Sequence, residues 1–351
     1  MTQLSPTHAA ARVSRSGRAR VRTLGSRTLI LIALLLLLLV LSALSLVAGS
    51  RVTSVSEVWQ ALSGTGNPHL QLVVTERIPR TIIGAVVGAS LAVAGVIVQG
   101  ITRNPLGDPG LLGVSVGASA AVVTATAITG TAIGAGTVWV ALAGALATVV
   151  LVVLVAGRPT AGGIVPLLLA GAVVSAVLGT YIQAMILTRP AVFDSFRFWV
   201  IGSLSGRRLE TLAEVAPALI LGLVLALILA SGLNALALGD DMAHSLGVSV
   251  PRVRAGGLLA AALLCAGATA LVGPIAFIGL AVPHIVRALV GTDHRWQIPA
   301  AILLGASVLI AADIVGRIIA RPGELMVGVV TAFVGAPFLL IAVRAGRAVR
   351  G

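Results

Sequence analysis

Residues 77–117 read RIPRTIIGAVVGASLAVAGVIVQGITRNPLGDPGLLGVSVG, and this segment contains the features that decide the fold. Its apolar part is long enough to cross a lipid bilayer, because a spanning helix needs about 20 apolar residues. An Arg-x-x-Arg motif precedes that part, and a polar loop rich in proline and glycine, residues 103–110, follows it. An ordinary membrane helix requires neither feature, so the segment predicts a membrane protein with functional groups at its helix ends.

The composition of the whole chain supports a membrane location. Of the 351 residues, 58% are hydrophobic and only 10% are charged, and the mean hydropathy is +1.10. A soluble domain carries roughly a quarter charged residues. We therefore predict an all-α, polytopic membrane protein that lies mostly in lipid.

Apolar runs predict about ten transmembrane helices. Residues 1–28 are rich in arginine and are predicted to form a disordered cytoplasmic tail, and residues 29–351 a single transmembrane domain. The first run is longer than the 7–15 apolar residues of a cleavable signal peptide, so it predicts a retained helix. The predicted spans are 29–48, 81–101, 111–129, 136–156, 164–187, 211–231, 255–273, 275–290, 297–319 and 326–343.

The basic residues predict the orientation and exclude one class of site. All 24 are arginines, and fifteen of them fall in the segments that ten spans would place on the side of the two termini. This bias predicts that both termini are cytoplasmic, and we call that side inner and the opposite side outer. The loop of residues 103–110 is then expected to lie in the cytoplasm. Because the chain has no lysine, it cannot form a standard Walker A site, so any ATP must bind to another subunit. The placement of the arginines beside apolar runs also argues against nucleic-acid binding.

The longest polar interruption on the inner side, residues 232–254, predicts a short amphipathic helix. Asp240 and Asp241 suit a helix N-terminus, where a carboxylate caps free N–H groups. Leu238, Met242 and Leu246 then share one face, and glycine at 247 is a natural stop. A helix resting on lipid headgroups is normally basic. The two aspartates therefore favour docking to a protein.

Three blocks, residues 77–117, 273–287 and 323–338, resemble the FecCD-type permeases, which are membrane subunits of ABC importers for iron-siderophores, haem and cobalamin. The resemblance covers roughly residues 76–345. It implies a type II ABC importer permease in the bacterial cell membrane, with ATPase subunits that hold ATP and Mg²⁺, an extracytoplasmic binding protein and a second permease copy or sister permease. The implied cargo is an iron-siderophore chelate, with cobalamin or haem as alternatives, and the chain itself is expected to hold no cofactor or metal and to catalyse no bond chemistry.

The resemblance also implies roles for individual residues. Arginines at the outer helix ends would dock the binding protein, the inner amphipathic helix would couple to the ATPase, and other positions would line or gate the pathway. The docking residues are Arg77, Arg80, Arg317 and, by our extension, Arg321; the coupling residues are Leu238, Gly239, Asp240, Asp241, Met242, Leu246 and Gly247; the pathway and gate residues are Tyr181, Gln183, Thr331, Gly162 and Gly163.

Several alternatives stay open at this point. Asp313 and Arg317 are spaced i, i+4, so a purely local ion pair is possible. Residues 194–206 predict either a short external helix near the substrate entrance or an interfacial aromatic belt. A secondary transporter would show a similar number of spans but needs buried ion-coupling residues, and Asp313 is the only carboxylate expected to lie deep.

Overall fold

The computed structural model describes residues 24–49, 53–65, 67–130, 134–157 and 165–348, which contain thirteen α-helices and no strand. Ten of these helices correspond to the ten predicted spans, and the other three, α2, α7 and α9, are short. The helices are α1 Leu24–Val47, α2 Val55–Leu62, α3 Pro68–Thr102, α4 Val114–Thr129, α5 Thr137–Ala156, α6 Val165–Thr188, α7 Pro190–Trp199, α8 Leu209–Ala237, α9 Asp240–Ser245, α10 Val250–Val272, α11 Ile278–Val290, α12 His294–Ile319 and α13 Val327–Ala348.

The predicted all-α membrane fold is confirmed, although the spans are unequal in length. Within the described residues, seven helices are long and apolar enough to cross a membrane: α1, α3, α5, α6, α8, α10 and α12. The apolar helices α4 and α11 and the apolar part of α13 are shorter. The first helix begins at Leu24 rather than at residue 29, so the last five residues of the predicted tail belong to α1.

The core of the bundle is built around α3, α10 and α12, which are mostly buried, whereas α1, α6 and α8 expose most of their apolar side chains. Small residues allow the close packing of the core helices. A Cβ atom on Gly88 of α3 would overlap the backbone carbonyl of Gly305 of α12, and a Cβ atom on Gly95 would overlap that of Gly279. Glycine is therefore required at these crossings.

The α2 helix was not predicted, and α3 begins thirteen residues before the predicted span. A capping box begins α2: the side chain of Ser54 accepts a hydrogen bond from the Glu57 N–H, and the Glu57 carboxylate accepts one from the Ser54 N–H. Because α3 has 35 residues, it is about 52 Å long and exceeds the thickness of a bilayer. The extra turns at its outer end place Arg77 and Arg80 inside the helix rather than before it.

The loop between α3 and α4 has two parts: residues 103–106 are exposed beside α9, at the predicted inner end, whereas residues 107–112 fold back into the bundle, which the sequence did not predict. Pro109 packs against Gly279 of α11, and the Leu111 carbonyl approaches Gly171 of α6. Leu91, which lines a cavity together with Pro109, lies eleven residues before the end of α3, or about 16 Å along the helix. Non-helical backbone is tolerated at membrane depth only where protein or water surrounds it. We call residues 103–113 the re-entrant loop.

Candidate functional site

Three of the four arginines predicted to dock a binding protein surround the C-terminal end of α1. Arg77 donates from Nη1 to the carbonyls of Leu46 and Val47, at 2.7 and 3.0 Å, and Arg321 donates from Nε to the Gly49 carbonyl at 3.0 Å. Arg317 donates from Nη1 to the Ser45 and Ala48 carbonyls, at 3.0 and 2.9 Å. The last carbonyls of a helix lack intrahelical donors and carry partial negative charge. The three guanidinium groups supply those donors and complement that charge.

The fourth arginine, Arg80, joins α3 to α12. Its guanidinium binds the Asp313 carboxylate through Nε and Nη2, with a shortest distance of 2.8 Å, and Nη1 lies 2.7 Å from Oε2 of Glu324. Asp313 also pairs with Arg317 at 3.0 Å. The local i, i+4 pair considered from the sequence is thus present, within a larger network that crosses from one helix to another.

Burial changes the role of two of these residues. Arg317 is only 1% exposed and Arg77 is 7% exposed, because both side chains lie under the end of α1. In this structure both guanidinium groups are engaged by backbone carbonyls, so the docking role of Arg77 and Arg317 stays a prediction that their environment does not favour. Arg321 is exposed, and Arg80 is partly accessible beside Glu324. The sequence predicted that these arginines lie at helix ends but did not predict the carbonyls that they bind.

A basic recess of about 890 Å³ opens at the outer end of the bundle, between α3, the turn before α8 and the end of α12. Two of its residues, Arg207 and Arg208, were not predicted as docking residues. The turn that carries them, Ser205-Gly206-Arg207-Arg208, overlaps the end of the segment 194–206, for which the sequence left two interpretations open. We call this cavity the basic recess; its charged lining residues are Arg77, Arg80, Arg207, Arg208 and Arg317 together with Glu76, Glu210 and Glu324.

At the opposite end of the bundle, α9 presents the apolar face that the sequence predicted. Leu238 is 65% exposed, Met242 is 52% exposed and Leu246 is 59% exposed, whereas Ala243 on the other side of the helix is buried. The helix ends at glycine 247, which has a φ of 76°. Its N–H bonds to the His244 carbonyl and the next N–H bonds to the Ala243 carbonyl, which is a Schellman motif.

The predicted capping role of Asp240 is wrong in detail. Gly239, with a φ of 107°, is the N-cap residue of α9, and no side chain caps the helix. The Asp240 carboxylate instead accepts two hydrogen bonds from Nη2 of Arg254, at 3.0 and 2.9 Å, and lies 3.0 Å from Nη2 of Arg103. Arg103 directly follows α3, and Arg254 lies in α10. Asp240 therefore fixes α9 to two helices of the bundle, while Asp241 is exposed.

The residues predicted to line the pathway do not share one cavity. Gln183 lines a cavity of about 630 Å³ between α4, α6 and α7, which we call the outer cavity. Tyr181 bonds to Thr124 through the two hydroxyl groups at 2.8 Å, and Thr331 lines a separate apolar cavity of about 290 Å³ beside α11 and α12. The predicted gate residues Gly162 and Gly163 lie outside the described residues.

Two aromatic side chains of α7 pack into the protein, whereas Phe193 is 46% exposed. Phe196 and Trp199 are buried, and their ring centroids lie 5.9 Å apart. Phe193 and Phe196 line the outer cavity. Of the two interpretations of this segment, the short helix beside a cavity therefore fits the structure.

Comparison with known proteins identifies the family. Residues 36–345 match the FecCD transport family. The chain belongs to this family. The FecCD relatives include the ferric enterobactin transport system permease protein FepD of Escherichia coli K12, 45% identical over 91% of this chain and 96% of FepD. The iron(3+)-hydroxamate import system permease protein FhuB of Bacillus subtilis 168 is 38% identical over 93% of this chain and 85% of FhuB.

A solved structure agrees with this FecCD assignment. It is described as an inward-facing conformation of a metal-chelate type ABC transporter, and it superposes with a TM-score of 0.79 at 28% identity. The superposition covers 91% of this chain and 99% of the other. The FecCD protein is therefore the membrane subunit of an ABC importer and a multi-pass protein of the bacterial inner membrane.

Proposed function

We propose that this FecCD permease moves iron-siderophore chelates across the bacterial cell membrane, with ATPase subunits bound at α9 and a substrate-binding protein bound at the basic recess. The observation that carries the proposal is the placement of two different docking surfaces at opposite ends of one bundle. One is a small apolar helix face, and the other is a charged recess. An importer that receives cargo at one end and takes energy from ATP at the other requires both.

The α9 surface fits a protein groove. Leu238, Met242 and Leu246 project from the bundle and bury little apolar area in this chain alone. Exposed apolar side chains of this kind, next to fixed charges, are typical of an interaction site. Since Asp240 is already paired with two arginines, the surface is held in a defined position before the partner arrives. ATP and Mg²⁺ would bind to the ATPase, and the chain that we describe would hold no cofactor of its own.

The basic recess fits carboxylates of an extracytoplasmic binding protein. Within the described residues, Arg207 and Arg208 have no ion-pair partner, and burial lowers the pKa of Arg207. A partly desolvated guanidinium group gains more from a carboxylate partner than a fully hydrated one does. We therefore assign docking to Arg207, Arg208 and the accessible parts of Arg80 and Arg321. Arg77 and Arg317 would act indirectly, by holding the end of α1.

The cargo follows from the relatives rather than from the outer cavity. Both FepD and FhuB carry iron(3+) chelates in their names, and both align over most of this chain. The polar groups of the outer cavity, beside two phenylalanines, do not distinguish one chelate from another; they are Ser115, Ser119, Gln183 and Arg197. A second permease, identical or a sister, would complete the pathway, and the exposed Phe333 and Val334 of α13 supply an apolar surface for it. Both termini would lie in the cytoplasm.

Uptake in a deletion strain tests this function. We expect the native gene to restore uptake of a radiolabelled ferric siderophore, and Met242→Glu to abolish it, because a charge on the apolar face of α9 opposes ATPase docking. His244→Ala on the same helix is the matched control and should retain uptake. Asp240→Arg is less informative as a coupling test, because it also breaks the ion pairs with Arg103 and Arg254.

Other outcomes would change the assignment in defined ways. Restoration of cobalamin or haem uptake alone would keep the importer and change the cargo. Uptake that is indifferent to Met242→Glu and persists after ATP depletion would contradict ATPase coupling and support an ion-coupled carrier. In that carrier, the buried carboxylate Asp313 would be the first residue to test, although it is already paired with two arginines.

A further inference from the structure

The re-entrant loop places a carboxylate inside the helical bundle. Asp108 precedes the 3₁₀ turn Pro109–Leu112, and its Oδ1 accepts a hydrogen bond from the Gly110 N–H at 2.6 Å. Oδ2 of the same carboxylate has no hydrogen-bond partner within the described residues. The sequence suggested Asp313 as the only deep carboxylate, and it placed residues 103–110 in the cytoplasm.

Asp108 lines a cavity of about 230 Å³ between α3, α4, α10 and α11, which we call the inner cavity. The volume is enough for several water molecules, since each occupies about 30 Å³ in the liquid. Leu91 faces it from α3, Ser115 from α4 and Cys265 from α10, and the segment before α11 contributes residues 274–276. Among these, Cys265 is the only other titratable group, and no cationic side chain lines the cavity.

Asp108 is partly buried, and its environment differs from that of two other carboxylates that have charged partners. Asp313 pairs with Arg80 and Arg317, and Asp240 pairs with Arg103 and Arg254. Asp108 has no arginine partner among the described residues. Burying an unpaired charge in a low-dielectric interior is expensive, and the usual result is that the group binds a proton.

The inner cavity adjoins the route that the proposed function assigns to the cargo. Ser115 and Pro274 line both the inner cavity and the outer cavity, so these two residues form the boundary between them. We propose that Asp108 is a proton-binding site on the wall of the translocation pathway. The carboxylate exchanges a proton with water in the cavity, and the charge of the Asp108 side chain changes between −1 and zero. The location on a pathway rests on the proposed function, whereas the binding of a proton does not.

Infrared difference spectroscopy of the purified full-length permease tests the proton site directly. The carbonyl stretch of a protonated carboxylic acid is followed as the pH is raised from acidic to alkaline values. We expect a protonated carboxyl signal that persists well above the usual carboxyl pKa of about 3.9 in the wild type and is missing in Asp108→Asn. The asparagine side chain keeps an oxygen to accept the Gly110 N–H. Asp108→Ser, which also provides a capping oxygen, serves if the asparagine variant does not fold.

Asp194→Asn is the matched control, because Asp194 is an exposed carboxylate outside both cavities. Its removal should leave the high-pH carboxyl signal unchanged. A spectrum in which Asp108→Asn and Asp108→Ser retain that signal would overturn the proposal.

Uptake of the ferric siderophore by cells tests the position on the pathway. Uptake by the wild type should depend on pH, and Asp108→Asn should flatten that dependence. Ser115→Ala, a neighbour without a titratable proton, should keep it. An unchanged pH dependence in Asp108→Asn would contradict the pathway assignment. If no form, including the wild type, transports a ferric siderophore, the cargo proposal fails, and the spectroscopic result alone decides on the proton site.

Discussion

Arg103, which directly follows α3, and Asp240 at the start of α9 form an ion pair, with Nη2 of Arg103 3.0 Å from Oδ1 of Asp240. Arg103 has a φ of 50° and is the first residue of the re-entrant loop. The pair therefore connects the helix with the exposed apolar face to the loop that carries Asp108. If an ATPase subunit binds α9 as we propose, this ion pair would link any movement of α9 to the loop that borders the inner cavity.

Removing this pair should affect transport more than stability. Both side chains are more than a third exposed, and such pairs contribute at most about 1 kcal/mol to the free energy of unfolding. We expect Arg103→Ala to leave the thermal midpoint nearly unchanged and to lower siderophore uptake at least about fivefold, the lower end of typical coupling energies. Arg252→Ala, an exposed arginine of α10, is the control. Equal uptake by Arg103→Ala and wild type would show that this ion pair does not contribute to transport.

Arg317 should be a stability residue rather than a docking residue. Its guanidinium is almost fully buried and binds two carbonyls at the C-terminal end of α1, those of Ser45 and Ala48, together with Asp313. Breaking a buried charge pair costs about 3–5 kcal/mol. We expect Arg317→Gln to lower the free energy of unfolding by that amount in detergent, and the exposed Arg321→Gln to lower it by less than about 1 kcal/mol. Similar losses in the two variants would refute the difference in roles.

Charge reversal in the basic recess should weaken docking of the binding protein without unfolding the permease. We expect Arg207→Glu combined with Arg208→Glu to slow association, because charged rims act mainly on the encounter rate. The effect should be largest at low ionic strength, where screening is weakest. Surface-immobilised permease complex and soluble binding protein provide the rates. The control is Arg189→Glu, at the outer end but outside the recess, which should associate normally. If the variant with both Arg207→Glu and Arg208→Glu also associates normally, the recess is not part of the docking surface.

Two glycine substitutions should have opposite effects on stability. A Cβ at residue 95 overlaps the backbone of Gly279, so Gly95→Ala should destabilise the fold by about 1–3 kcal/mol. A Cβ at residue 179 meets no atom within 4 Å, so Gly179→Ala should be neutral or stabilising by up to about 1 kcal/mol, from helix propensity. Thermal unfolding in detergent measures both. A neutral Gly95→Ala would mean that α3 and α11 do not cross as described.

The pH dependence of stability offers a separate check on Asp108. Since we propose that Asp108 holds a proton in the folded protein, the folded state should bind that proton more tightly than the unfolded state does. That contribution is complete below the unfolded pKa of about 3.9 and is lost as the pH rises through the folded pKa. Asp108→Asn should therefore gain stability relative to wild type as the pH increases. Parallel stability curves for the two proteins would be inconsistent with a raised pKa.

The ten spans and α9 could be predicted from the sequence because each depends on local information. A run of apolar residues must adopt a helix in lipid, since every backbone group needs a partner there. The exposed face of α9 follows from the spacing of Leu238, Met242 and Leu246, and its end follows from the glycine at 247. The family resemblance rested on three continuous blocks of sequence, which are also local information, and the comparison with known proteins confirmed it.

The partners of the charged side chains could not be predicted in this way. Arg317 and the Ser45 carbonyl are 272 residues apart, and Arg80 and Asp313 are 233 apart. Their contacts exist only after α1, α3 and α12 have packed together. The same holds for Arg207 and Arg208, whose turn borders a recess that other helices complete.

The sequence alone therefore determined the helices, their order and the family, because hydrophobicity, helix-capping residues and family motifs are properties of short, continuous segments. Only the tertiary structure decided which charges are buried, which are free to meet a partner and how deep the loop of Asp108 lies. Burial and pairing depend on residues far apart in sequence. The free energy of a charged group depends on the neighbours that surround it, and packing alone determines those neighbours.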